Sequence, residues 1–537
     1  MRILFLPLFM IAILVLVQIT FFFFLLLFSG FFKAAHDIWA ASVVYLLVLG
    51  YSLFRLGRIV LKKDEQGIPG FFLGPVFLIL VGFGVSSYYS INPSESVLEW
   101  LDWVSALLIF LWILDLGSHE RIEKKFLFFS IPFFWFQLFW VLSVDSSGTL
   151  INPNLLAAFL APFFPLIFSQ IDKGMFLKKL ESFYLLSGIF SYFFTLILLK
   201  SNWVYICLPF FMPISFKKKK VLFLITSAIV SSAFIYNFFS LASDRFGADS
   251  IIEGVTRLSW WKSGILMFLD HPWFGVGLGN FPSAYLAYKV GNAEHTLYPH
   301  NIFIGLLAET GLVGVISISV LIMSIYFYLK KSSYLLSEKK GFFLALILFL
   351  LVGIGSLSTE YLSHLLLFFV LLGLFLSSDN IKRIHIRPSI ALLVLSIGIA
   401  SIPFILSPLF ASQQFVSGQM ALHELKWDEA KKHFHNAIDL QKCDWKSYQA
   451  LAQIEIAEYN KSQNPANLTQ AIEFEKKAIS VHRMNGFLWY ELGVYQLKAG
   501  LKEEAQGSFT NVMKFKTTNK KINDEIPGLI ASLSSAS

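Results

Sequence analysis

Apolar residues in this chain come in long unbroken runs, separated by short polar segments, over residues 1–411, and in a shorter, helix-like periodicity beyond. A helix crosses a bilayer core with about 20 apolar residues. By that measure the runs at 3–29, 37–57, 68–88, 99–116, 126–144, 154–171, 181–199, 203–216, 221–239, 301–329, 341–357, 361–377 and 389–408 each predict a span. The expectation is an all-α, polytopic membrane helix bundle of about 13 spans. The first run is too long for a signal peptide and has no small-residue cleavage pattern, so an uncleaved span is expected there.

Residues 411–537 read differently. Gly418, Ala430, Phe434 and Ala437 recur as Ala452, Ala471, Glu475 and Ala478, and again as Gly493, Ala505, Phe509 and Val512. The spacing is about 34 residues, with extra residues around Asn464, Pro465 and Ala466. Small residues alternating with a large one let paired helices pack closely. This resembles the tetratricopeptide repeat and implies a C-terminal helical-repeat (TPR-like) solenoid. The domains expected are a membrane body over 1–410, with an outward loop at 240–300, and a repeat domain over 411–537.

Composition agrees with the pattern: 56% of residues are apolar, 58 are Phe and only 15% are charged, against about 25% charged in soluble domains. The formal net charge of +8 would admit a nucleic-acid partner. Its distribution excludes that partner, because the excess sits in short clusters between apolar runs: Arg55 to Lys63, Arg121 to Lys125, Lys173 to Lys179, Lys217 to Lys220, Lys330 to Lys340 and Lys382 to Arg387. Basic clusters on alternate connections mark the cytoplasmic face. The N-terminus is therefore expected inside, and the 240–300 loop and the tail outside. Cys207 and Cys443 are too far apart in character to form a disulfide framework or thiolate metal site.

The long outward loop carries most of the remaining polar chemistry. Ser250 and Glu253 form a capping-box pattern before a surface helix over 251–269 that puts Arg257 and Trp261 on one face. Asp270, His271 and Pro272 end it. Gly275, Gly277 and Gly279 follow, either as turns or as a bend that lets backbone approach a phosphate. Next come His300 and Asn301, then Gly311 and Gly314; at about 100° per residue the histidine and both glycines share one stripe, with Glu309 opposite. A buried carboxylate is costly in a bilayer, so Glu309 is expected to be hydrogen-bonded and structural. His271, His295 and His300 lack a carboxylate at ligand spacing, so no metal is expected.

Together, Arg257-x-x-Trp260, His271-Pro272-x-x-Gly275-x-Gly277-x-Gly279-x-Phe281 and His300-Asn301-x9-Gly311-x-x-Gly314 resemble the O-antigen ligase superfamily of bacterial inner-membrane glycosyltransferases, as does Asn152-Pro153-Asn154. The resemblance spans roughly residues 140–375. It implies transfer of a preassembled glycan from undecaprenyl diphosphate to an acceptor hydroxyl on lipid A-core, on another glycan or on a protein, with no nucleotide sugar and no cofactor. In that role Arg257, then Arg245, would hold phosphate oxygens, since a guanidinium forks onto them. His300 would accept the acceptor proton near neutrality. Asn152, Asn154, Asn301, Gly311 and Gly314 are the further substrate-binding positions implied. Alternatives within the superfamily are a polysaccharide polymerase and a protein O-oligosaccharyltransferase, which the repeat tail favours. Outside it stand a lipid-linked glycan transporter and an envelope-assembly scaffold. Arg257 has a plainer alternative in snorkelling beside Trp260 and Trp261, and Asn152 in capping a helix.

Overall fold

The computed structural model describes residues 37–61, 68–114, 122–145, 149–150, 152–172, 179–199, 201, 204, 207–208, 249–291, 293–355, 361–378 and 381–535. The expected spans 3–29 and 221–239, nearly all of 203–216, and Arg245 lie outside the described residues. The membrane body is built from α1 (Ile38–Val60), a short strand β1 (Ile68–Pro69), α2 (Leu73–Tyr88), α3 (Pro93–Leu114), α4 (Ile122–Ser143), α5 (Pro153–Leu160), α6 (Phe163–Asp172) and α7 (Lys179–Leu199). It continues with α8 (Asp249–Asp270), α9 (Phe281–Tyr288), α10 (Ile302–Lys331), α11 (Tyr334–Glu338), α12 (Lys340–Gly353), α13 (Leu362–Leu376), strand β2 (Arg383–Ile384), α14 (Pro388–Ala400) and α15 (Ile402–His423).

The architecture is all-α, but the expected count of about 13 spans is corrected. Among the described residues six segments are long and apolar enough to cross a membrane: α1, α3, α4, α5 with α6, α10, and α14 with α15. That makes the chain a multi-pass membrane protein. The runs behind α2, α12 and α13 give helices of 16, 14 and 15 residues. At about 1.5 Å per residue these reach roughly 21–24 Å, short of the ~30 Å hydrocarbon core. Hydropathy overcounts because an apolar run does not reveal where its backbone breaks. The run at 68–88 loses its start to β1 and a turn, and the run at 341–357 loses its end at Gly353.

Lipid is as apolar as Leu, so burial alone does not hold such helices together; close packing does. Here aromatic rings meet edge to face: Phe72 on Phe110 and Tyr328, Phe83 on Trp103, and Trp103 on Phe369. Each such pair contributes about 0.5–1.5 kcal/mol beyond its area. A half-buried acid, Asp102 of α3, accepts from the hydroxyl of Tyr45 of α1.

Polar groups sort the two ends of the bundle. At one end β1 and β2 pair antiparallel, Ile68 opposite Ile384, and Gln170 donates to Glu123 at 2.6 Å. Lys339 Nζ donates to the Leu374 carbonyl at 2.8 Å, a cation at the C-terminal end of α13. Basic clusters far apart in sequence thus share that end. The opposite end gathers the 89–92 turn, the 271–300 segment, Asn152 and Tyr361.

Beyond α15 stand α16 (Trp427–Leu440), α17 (Trp445–Ser462), α18 (Pro465–Val481), α19 (Gly486–Lys498), α20 (Lys502–Phe515) and α21 (Lys520–Ser535). α15 packs with α16, α17 with α18, and α19 with α20, as a helical repeat. All twelve recurring positions are buried. A methyl added to Gly418 would meet the Phe434 ring at 2.7 Å, and one on Gly493 would meet Phe509 at 2.6 Å, so each glycine makes room for a ring. Glu475 occupies the ring's place in the middle unit. α15 runs unbroken across residues 410 and 411 into the first repeat. The tail docks at the end of the bundle that carries the 271–300 segment: Arg483 N–H donates to the Ile91 carbonyl at 3.4 Å, and Lys446 lies 3.8 Å from Glu95.

Candidate functional site

A broken helix clasped by a glycine-bearing loop frames the site. Gly311 sits inside α10 at φ 59°, ψ −156°, which interrupts the ladder. A break in apolar surroundings leaves backbone donors and acceptors that must find partners. The segment after α8 supplies them. Leu312 and Val313 N–H donate to the carbonyls of Pro272 and Trp273 at 2.8 and 3.1 Å. Val276 and Gly277 N–H donate to those of Ala308 and Glu309 at 3.0 and 2.9 Å. Gly275 has φ +67°, and a Cβ there would lie 2.3 Å from the Glu309 backbone; one on Gly311 would lie 2.7 Å from Trp273 and Gly275. Only glycine suits both positions. The close approach that the glycines of 275–279 permit is therefore to α10. Glu309 Oε1 accepts from Phe281 N–H at 3.0 Å, capping α9, which is the hydrogen-bonded role expected of it.

The projected stripe does not carry from His300 to Gly311 and Gly314. His300 precedes the helix at φ 54°, and the break at Gly311 resets the phase. Gly314 faces Thr310 and Phe83. Asn301 is the N-cap of α10, its Oδ1 accepting from Phe303 and Ile304 N–H at 3.0 and 3.2 Å.

His300 lies against Trp260, ring centroids 4.8 Å apart and planes 25° apart. A left-handed conformation at a non-glycine residue is uncommon and strained. The segment leading to it is pinned: Trp260 Nε1 and the Tyr285 hydroxyl both donate to the Glu294 carbonyl, at 3.1 and 2.9 Å, and Thr296 Oγ1 donates to the Tyr298 carbonyl at 2.7 Å. Arg257, one turn before Trp260, donates from Nη1 to the Gly355 carbonyl at 3.0 Å. α8 and the segment before α10 thereby bring Arg257 and His300 together. Burial, and then the Arg257 charge, push the His300 imidazole down to about 4. It is neutral at neutral pH and has a lone pair to offer.

Asn152 caps α5, Oδ1 accepting from Leu155 N–H at 2.9 Å, and Asn154 is exposed on the first turn. Fully buried His364 bonds from Nε2 to the Leu155 carbonyl at 3.0 Å and from Nδ1 to Ser363 Oγ at 3.1 Å. Its ring neighbours Tyr361, which in turn neighbours Tyr298. Asn152-Pro153-Asn154 thus reaches the His300 segment through α13. Sequence reasoning missed His364, because a lone histidine in an apolar run has no partner at a telling spacing. It also missed the positioning role of Trp260, though the tryptophan stood in the motif. Arg245 is outside the described residues.

Residues 183–319 match the family model described as O-antigen ligase. No curated protein matches the chain. The matched stretch takes in Arg257, the clasp, His300 and the break at Gly311, and leaves out Asn152-Pro153-Asn154 and the repeat tail. It supports a glycan-transfer role of the ligase or polymerase kind in general.

Proposed function

We propose that this protein transfers a preassembled glycan from undecaprenyl diphosphate to an acceptor hydroxyl at the outer face of a bacterial cytoplasmic membrane. The observation that carries the reading is the meeting of a guanidinium with a neutral, half-buried imidazole at the end of the bundle away from the basic clusters. Arg257 has five N–H donors, of which the Gly355 carbonyl takes one, and its fork matches phosphate oxygens. The acceptor oxygen attacks the anomeric carbon, the bond from that carbon to the diphosphate breaks, and the electron pair leaves on a phosphate oxygen that Arg257 stabilises. His300 takes the hydroxyl proton. A bound diphosphate opposes the Arg257 charge and so makes the imidazole a stronger base when the donor is present. Arg245 is the second phosphate contact in this reading, exposed Asn154 a contact for glycan or headgroup, and Gly311 and Gly314 act through the shape of α10.

General-base help is commonly worth about 10²- to 10⁴-fold. His300→Ala and Arg257→Ala, inserted at normal levels, are each expected to lose transfer on that scale when purified protein is given lipid-linked donor and acceptor. Transfer at the unmodified rate by both would sink the assignment. A protein acceptor is the second reading, favoured by the docking of the repeat tail beside the site. Mass spectrometry of envelopes from a deletion strain separates the cases: glycan disappears from a protein, from lipid A-core, or from long polymer.

A further inference from the structure

The structure assigns a part of the site to the tail: we infer that Met484, in the turn between α18 and α19, is a positioning residue for His300. Its activity arm rests on the glycan-transfer reading above; its structural arm does not.

Partly buried Met484 packs against a buried cluster made of Ile91, Met267 of α8, Val276 of the clasp, Phe281, Ala284 and Tyr285 of α9, and Ala308 of α10. Each of these elements bears on His300. α9 has eight residues, too short to hold its own place. Glu309 fixes its start through Phe281 N–H, and α20 touches it from the tail side. From α9 the Tyr285 hydroxyl reaches the Glu294 carbonyl, where the Trp260 indole N–H also ends. Trp260 is the surface on which His300 lies. The cluster that this side chain of the repeat domain packs against thus includes Tyr285, which stands two hydrogen bonds and one ring contact from the imidazole. The polar links across this junction are weak: the Arg483 to Ile91 bond is 3.4 Å long, and the Lys446–Glu95 pair is half-exposed and long, a kind worth little. Met484 is the side chain by which the turn between α18 and α19 packs against the cluster that seats α9.

The test uses the full chain in nanodiscs with Met484→Leu, Met484→Ala and Met484→Glu. Hydrogen exchange is read over 281–300, with α3 and α17 as controls of folding. Met484→Glu is expected to raise exchange over 281–300 and to lower kcat by about 10-fold or more, as misplacing a reacting group does. KM for the donor should stay near its original value, since Arg257 is untouched. The acid limb of the pH profile should move up as the imidazole loses its cover, and Met484→Leu should restore everything. Should Met484→Glu disturb the control helices, Met484→Ala carries the same test at smaller amplitude. Unchanged exchange over 281–300, or raised exchange with kcat intact, overturns the inference. Full transfer by His300→Ala would instead overturn the reaction, and the exchange result would still decide the role of Met484.

Discussion

The imidazole of His300 is covered on one side by Trp260 and faces a fixed positive charge, and both conditions disfavour protonation. Its depressed value means that the unfolded chain binds more protons than the folded one between about 6.5 and about 4. Stability therefore falls as pH drops through that window and is fully present above it. Arg257→Gln removes the repelling charge and Trp260→Ala the cover, so each is expected to raise the pH at which His300 protonates. Diethylpyrocarbonate attacks the neutral ring, and the pH dependence of His300 modification, read on its own peptide, needs no turnover. A midpoint unmoved by either substitution would contradict this account. The two residues were legible in the sequence as types in a pattern. Their contact was not, because 42 residues lie between positions 257 and 300: the rest of α8, the clasp, α9 and a loop.

α10 and the middle repeat mark how far pattern reading extends. The apolar run at 301–329 marked α10, but Gly311-x-x-Gly314 in such a run reads as a packing stripe. Only the reciprocal bonds to Pro272, Trp273, Val276 and Gly277 show the first glycine to be a break. In the tail, the twelve recurring small and large positions are all buried, Glu475 among them. Both Glu475 oxygens are buried without a hydrogen-bond partner among the described residues. Burial, reinforced by the Glu491 charge, holds its carboxyl well above the usual range. The folded repeat therefore binds a proton that the unfolded chain has given up, and this contribution to stability is lost as pH rises through the raised value. Glu475→Leu is expected to stabilise the repeat at neutral pH by about 1–3 kcal/mol, the cost of an unsatisfied buried group, and to flatten that pH slope. Hydrogen exchange of α17 to α19 in the full chain measures both. Weaker protection in Glu475→Leu than in the original chain would count against the explanation.

At the scale of the molecule, the basic clusters among the described residues share one end of the bundle, and the candidate site and the docked tail share the other. Single cysteines at Asn154, Leu297 and Lys498 are expected to react with a membrane-impermeant maleimide from outside intact cells. Cysteines at Lys125 and Lys340 should react only after permeabilisation. The reverse pattern would put the site on the cytoplasmic side and end the proposal of a lipid-linked donor there. No linker separates body from tail, since α15 serves both, and Met484 gives a second point of attachment.

The sequence by itself determined the membrane class and the recurring positions of the helical repeat. Each of these follows from composition or from a local period, and neither needs a partner in space. Tertiary structure alone decided the number of helices among the described residues long enough to span, the clasp around the break at Gly311, the bond from Phe281 N–H to Glu309, and the seating of His300 on Trp260. These depend on which distant backbone groups and rings arrive beside a residue, and no interval along the chain encodes that.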